Sequence, residues 1–252
     1  MKDIISKILK EDSELIFKMR SQNNVFLKDD SFDLASIVSD ADIASESFLI
    51  KKIKENFPND SIYSEEKGLV DNASNRIWYI DPLDGTSNFV REIPIWGITM
   101  GLVDDGVPVI GAMYFPEFDK FFFAELGKGA TVNDKPIHVS KRVLNESLFY
   151  SRSYYKKHLY LDTKIGKEVG LVKIVDSSAF ELSQIASGNA EIYAMTNVPH
   201  DVVSGIVLVK EAGGKVTDFE GNNWNLESSG IIVTNGVVHK DVVRLIDKSL
   251  YK

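Results

Sequence analysis

The segment Trp78-Tyr79-Ile80-Asp81-Pro82-Leu83-Asp84-Gly85-Thr86-Ser87 sets two carboxylates three residues apart, where an apolar run breaks into a turn. Arg76 to Ile80 predicts a short buried strand, and Pro82 is expected to stop it by removing a backbone donor and fixing φ. Gly85 and Thr86 then stand at an expected helix start, where unpaired backbone N–H groups favour an anion. Oxygen ligands beside an anion cradle suit a hard divalent cation that shares its coordination with a substrate phosphate. The spacing therefore points to metal-assisted phosphoryl chemistry. A bare Asp-x-x-Asp also describes a solvated loop with a capping aspartate, and such short motifs match falsely often.

Two further acidic stations bear on that choice. Glu65 and Glu66 follow the strand-like run Ile62-Tyr63-Ser64, and Asp201 stands in Pro199-His200-Asp201 ahead of Val202, Val203, Ile206 and Val209. Those apolar positions have helical spacing and stop at Ala212-Gly213-Gly214. Taken singly, Glu65 and Glu66 read as a solvated surface pair and Asp201 as a helix cap. Asp42 lies three residues after Ser39, the spacing of a capping box, so its local reading is also that of a cap.

Together, "SEEKG", "WYIDPLDGTSNFV", "HDVVSGIVLVKEAGG" and "VTDFEG" resemble the inositol monophosphatase family of Mg²⁺-dependent, lithium-sensitive phosphatases. The resemblance runs from about Asp33 to the last helix. It implies that Glu65, Asp81 and the backbone carbonyl of Leu83 bind one metal, and that Asp81, Asp84 and Asp201 bind a second. Asp42 matches a family acid that helps to hold a further, weaker metal through water. The implied cofactor is thus two or three Mg²⁺ ions, with Mn²⁺ as a substitute. Thr86 and Glu65 resemble the pair that orients and deprotonates the attacking water. Substrate contacts are implied for Asp84, Gly85, Thr86, Ser87 and Asp201, while His200 by its own chemistry could touch phosphate or a leaving-group hydroxyl, or serve as a hydrogen-bonded structural residue.

The chain departs from the family pattern in places. His200 stands where a Trp is usual, and Asp176-Ser177-Ser178-Ala179 stands for Gly-Ser-Ala-Ala. Near Ala194-Met195-Thr196 the acid that grips inositol hydroxyls is missing. The implied reaction is hydrolysis of inositol 1-phosphate or a similar small sugar or polyol phosphate. Alternatives are a phosphatase for nucleotide 3′-phosphates or fructose 1,6-bisphosphate, and a regulatory or scaffold protein on the same fold. A homodimer is also implied.

Composition narrows the field. The 252 residues can bury a large core without covalent staples, and the absence of cysteine excludes disulfides and thiolate chemistry and fits a reducing cytoplasm. A formal charge of −8, from 29 Lys and Arg against 37 Asp and Glu, gives no general reason to bind nucleic acid or an anionic membrane. The expected partner is a small phosphorylated metabolite. Met1 to Met19 reads as an amphipathic helix rather than a signal peptide, and no apolar run reaches membrane-spanning length.

Periodicity gives the organisation. Helices are expected from Asp3 to about Arg20 and from about Asp40 to Asn56, the second turning Ile43, Leu49, Ile50, Ile53 and Phe57 to a core. Antiparallel strands follow from Ile98 to Ala124, with turns at Asp104-Asp105-Gly106, Pro116 to Asp119, Lys128-Gly129 and Val132-Asn133-Asp134. After about Asn145, strands alternate with helices. The expectation is an α+β half (1–144) stacked on an α/β half (145–252) that supplies Asp201. The family resemblance implies a five-layer αβαβα sandwich with the site between the halves.

Overall fold

Ile5, Ile8, Leu9 and Ile16 make one apolar face of α1 (Lys2–Met19), and Leu49, Ile50 and Ile53 make one of α2 (Asp40–Asn56). The two helices pack on each other and on one face of a sheet. The computed structural model describes residues 1–20, 24–27, 37–151, 159–196 and 198–246. Two short strands, β1 (Val25–Leu27) and β2 (Ile37–Ser39), pair antiparallel ahead of α2. Ile43 is not a core residue: it is 47% exposed, because Asp42, Ser45 and Glu46 take the inward positions of the first turns of α2. That polar inner face is where the site begins.

The larger sheet holds β3 (Ser61–Ser64), β4 (Gly68–Val70), β5 (Arg76–Asp84), β6 (Gly97–Asp104), β7 (Val107–Phe115), β8 (Lys120–Glu125), β9 (Ala130–Val132) and β10 (Lys135–Pro136). Its order is β10-β9-β8-β7-β6-β5-β3-β4, antiparallel except for the parallel β3/β5 pair. A short helix, α3 (Thr86–Val90), leaves the end of β5. The expected turns at Lys128-Gly129 and Asn133-Asp134 are present, and β9 and β10 form around them.

The second sheet, β12-β11-β13-β15-β14, combines β11 (Leu148–Tyr150), β12 (Leu171–Lys173), β13 (Ile192–Thr196), β14 (Lys215–Thr217) and β15 (Gly230–Thr234). Between the sheets lie α5 (Ser178–Ala186) and α6 (Pro199–Glu211). On the far side lie α4 (Leu159–Gly166) and α7 (His239–Leu245), sharing a small core with Phe149, Phe219 and Ile232. The layers are therefore helices, sheet, helices, sheet, helices, the five-layer α+β arrangement. The sequence pattern predicts a last helix from Lys240 to Leu250, and the structure describes it to Leu245, the residues from 247 onward lying outside the described set. No helix among the described residues is long and apolar enough to cross a membrane.

One contact sets the height of α6. Gly101 and Gly111 face each other across β6 and β7, and a Cβ built on Gly111 would lie 2.1 Å from the Ser204 carbonyl oxygen. On Gly101 it would lie 2.6 Å from Val203 Cγ1. The paired glycines let the helix backbone rest on the sheet, one turn beyond Asp201.

Candidate active site

Pro82 does not end β5, contrary to the sequence expectation. The strand runs through to Asp84, with Asp81 opposite Thr99 and Asp84 opposite Gly97, so that Pro82 and Leu83 together face Ile98. A bulge has no ladder bond to lose at the proline, which is why Pro is tolerated there. The bulge takes Pro82 and Leu83 out of ladder register and leaves an aspartate paired on each side of it, both on a rigid strand. Gly85 then adopts φ +86 and enters α3; a Cβ there would lie 2.8 Å from the Ile95 carbonyl oxygen. Only glycine meets both demands.

Helix α2 holds the bulge from one side. Asp42, Ser45 and Glu46 fall at i, i+3 and i+4 and so share a face. The Ser39 N–H and hydroxyl donate to Asp42 Oδ2 at 2.8 and 2.6 Å, the reach-back bond of the expected capping box. Asp42 nevertheless does more than cap, since Thr86 Oγ1 lies 2.8 Å from its other oxygen and 2.9 Å from the Leu83 carbonyl. Ser45 Oγ lies 3.0 Å from the Pro82 carbonyl oxygen. Glu46, 1% exposed, accepts from the backbone N–H groups of Glu66 and Lys67, both at 3.0 Å. It fixes the turn that carries the half-buried Glu65 and Glu66, which are therefore not a freely solvated pair. The sequence reading missed Ser45 and Glu46. Their signal was a polar i, i+3, i+4 set starting from Asp42.

The second sheet and its helices hold the other side. The Ser177 hydroxyl donates to Asp84 Oδ2 in a short bond, and the Ala179 N–H donates to the same oxygen at 3.1 Å. The Ser87 hydroxyl donates to Asp176, whose φ of +56 lets an aspartate stand in a left-handed position. Asn88 Nδ2 donates to the carbonyls of Ile95 and Val175 at 2.8 and 2.7 Å. Asp201 is not a helix cap: Val198 is the cap of α6, and Asp201 sits in the first turn. His200 Nε2 lies 3.0 Å from Asp201 Oδ1, and its ring stacks on Tyr63, which stacks in turn on Tyr79. Met195 is buried, with the Tyr193 hydroxyl 2.9 Å from its sulfur.

Asp81 is 3% exposed, and burial pushes its carboxyl well above the usual range, with the charges of Glu65, Asp84 and Asp201 adding to the shift. Burial likewise pushes Asp42 up to about 6, against the hydrogen bonds from Ser39 and Thr86 that favour its ionised form. The charges acting on Asp81 are all of one sign. Among the described residues no three Asp, Glu or His side chains already form a closed ligand cage. The donor set, carboxylates and a backbone carbonyl on a fixed bulge, is of the hard-oxygen kind that a divalent cation takes, and such a cation would relieve the repulsion among the carboxylates.

Against known proteins, the model of the inositol monophosphatase family matches residues 3–251. A fructose-1,6-bisphosphatase/inositol-1-monophosphatase of Thermotoga maritima is 31% identical over 214 residues, 84% of this chain and 83% of the relative. Among solved structures, the IMPase of Thermotoga maritima superposes with a TM-score of 0.88 at 30% identity, covering 96% of this chain and 95% of that one. The extragenic suppressor protein suhB of Bartonella henselae gives 0.89 at 26% identity, with 98% of each chain covered.

Proposed function

The chain belongs to the inositol monophosphatase family, and we propose that it is a Mg²⁺-dependent phosphomonoesterase acting on inositol 1-phosphate or a similar small sugar or polyol phosphate. The observation that carries this reading is the β5 bulge, where Asp81 lies buried within the charge field of Glu65, Asp84 and Asp201.

In this reading Glu65, Asp81 and the Leu83 carbonyl would hold one ion, Asp81, Asp84 and Asp201 a second, and Asp42 would support a further one through water. When bound, the ions acidify a water molecule and offset charge on the phosphate oxygens. Thr86 has one hydroxyl proton and two acceptors within 2.9 Å, Asp42 and the Leu83 carbonyl, and its oxygen keeps lone pairs that can accept. It can accept a hydrogen bond from the attacking water while Glu65 takes the proton. The N–H groups of Gly85 and Thr86 would orient the phosphate, joined by the Ser87 hydroxyl once it turns its one proton from Asp176 to a phosphate oxygen. No covalent phosphoenzyme is required. Purified protein should release inorganic phosphate from several monoesters with Mg²⁺ and none with EDTA; no Mg²⁺-dependent turnover on any of them would sink the reading.

A second reading, a regulatory or scaffold protein on the same fold, goes with the likeness to the Bartonella protein, which is described as an extragenic suppressor. Partner retention with the Asp84→Asn protein, which would lack turnover, separates the two roles. The phosphatase reading also carries a homodimer and a cytoplasmic location as expectations, which sedimentation and cell fractionation test.

A further inference from the structure

Beneath the bulge, Asp12 of α1 and Ser45 of α2 are both fully buried. Ser45 Oγ lies 2.7 Å from Asp12 Oδ2 and 3.0 Å from the Pro82 carbonyl oxygen. A serine hydroxyl has one proton, so it cannot donate to two acceptors at once. Both contacts are made good only if Asp12 carries a proton of its own and donates it to Ser45, which then donates to Pro82. The surroundings agree. Among the described residues Asp12 Oδ1 has no hydrogen-bond partner, and Ile8, Leu9 and Ile16 of the same helix face are apolar and buried. An ionised carboxylate left in such a place without a cation is costly, and burial pushes the Asp12 carboxyl well above its ordinary range.

The Pro82–Leu83 peptide is held at both ends. Its carbonyl faces Ser45, and its N–H donates to Asp81 Oδ1 at 3.1 Å. Freeing the carbonyl lets this peptide rotate, which carries the N–H away from Asp81 and swings the adjoining Leu83 carbonyl. We propose that Asp12 and Ser45 are positioning residues for the Asp81–Asp84 turn, the Asp12 carboxylic acid committing the Ser45 proton to the Pro82 carbonyl so that Asp81 and Leu83 meet a cation in one fixed geometry. The inference rests on the reading of Asp81 and Leu83 as cation ligands, and it adds a support that reaches through two helices from the far side of the turn.

Mn²⁺ titration of the full chain, followed by the paramagnetic resonance signal of the free ion, tests this without any turnover. The loss of one net hydrogen bond should weaken Mn²⁺ binding by Ser45→Ala about three- to tenfold, with the melting profile still cooperative. Asp12→Asn, whose amide can donate to Ser45 as the acid does, should bind as the wild type. Asp12→Ala should lose affinity alone but add nothing in the Ser45→Ala background, since it acts only through Ser45. The Mg²⁺ concentration for half-maximal phosphate release should shift in parallel, with kcat at saturating Mg²⁺ little changed. Wild-type Mn²⁺ affinity in Ser45→Ala, or full additivity of the two alanine variants, would overturn the proposal. Equal losses in Asp12→Asn and Asp12→Ala would overturn the donor role of the acid. A wild-type chain that binds no Mn²⁺ would overturn the reading of the site itself, an outcome distinct from these.

Discussion

Ser177 donates its hydroxyl proton to Asp84, a bond that joins the loop before α5 to the bulge of β5. The Ala179 N–H adds a second donor to the same carboxylate oxygen. Bonds to a carboxylate from a hydroxyl and a helix-start N–H are charge-assisted and fix its direction. An acid of the first sheet is thereby aimed by residues next to the second. With Asp201 entering on α6, the constellation is complete only when both sheets are packed on the central helices.

Asp84→Asn should therefore remove activity and leave the fold. The substitution keeps the shape and the bonds from Ser177 and Ala179 can persist, but the charge opposing a cation is gone. Phosphate release at ordinary Mg²⁺ should fall at least about 100-fold, beyond the range typical of losing a supporting residue. The circular dichroism spectrum should not change. Ser177→Ala, which removes only the support, should cost about 10-fold. Wild-type turnover in the Asn variant would contradict the assignment.

Gly111→Ala should act on both stability and site. Its Cβ would meet the Ser204 carbonyl oxygen at 2.1 Å, and the neighbour is helix backbone that cannot rotate aside. Lifting α6 off the sheet opens the core around Val202, Val203 and Ile206, all fully buried. Overpacking of this kind costs about 1–3 kcal/mol and occasionally more, and thermal denaturation measures it. Because Asp201 rides on the same helix, Mg²⁺ affinity should fall too. An unchanged melting temperature would show that the helix has more play than the contact allows.

His239 should make the fold sensitive to mild acid. Its ring lies between Thr217 Oγ1, 3.0 Å from Nε2, and Thr234 Oγ1, 2.9 Å from Nδ1. Burial, with the charge of Lys215, pushes its pKa down to about 4 from the ordinary 6.5. Between those values the unfolded chain binds a proton that the folded chain does not. Stability is thus fully present above about pH 6.5 and is lost as pH falls toward 4. After allowance for solvent screening the loss is on the order of 1–2 kcal/mol. Urea unfolding at pH 7 and pH 5 should show the drop, and His239→Gln should flatten it. Parallel pH profiles for the two proteins would exclude the histidine as the source.

What the sequence made legible and what it hid follow from range. Helix and strand periods depend on neighbours a few residues apart, so α1, α2 and the β6–β7–β8 meander could be read directly. The Asp81, Asp84, Glu65 and Asp201 stations drew their meaning from the family resemblance, because alone each has a local reading as a cap or a solvated acid. The path through Pro82 was misread because a bulge depends on the partner strand, here Ile98 between Thr99 and Gly97. Ile43 was misread because α2 buries polar residues where it meets the site. β14 is three residues long, Lys215–Thr217, too short for a period to stand out. Asp12 lies 70 residues from Pro82 in sequence, and no local rule joins them.

Substrate preference should be broad. A pocket discriminates strongly when its buried polar groups need a particular hydroxyl, since the wrong ligand leaves them unpaired. By the resemblance, the acid that grips inositol hydroxyls belongs near Met195. That residue is instead a buried thioether beside the Tyr193 hydroxyl. The groups expected to meet the phosphate, Gly85, Thr86 and Ser87, are common to every monoester. Recognition should therefore come mainly from the phosphate end, with inositol 1-phosphate hydrolysed but not strongly preferred. The measurement is a set of kcat/KM values for inositol 1-phosphate, fructose 1,6-bisphosphate, glycerol 2-phosphate, histidinol phosphate and a nucleotide 3′-phosphate. A preference for inositol 1-phosphate of about 10³-fold, roughly 4 kcal/mol, would mean that another residue grips the ring hydroxyls. Values within about tenfold of one another would show that the β13 side of the pocket contributes little to selectivity.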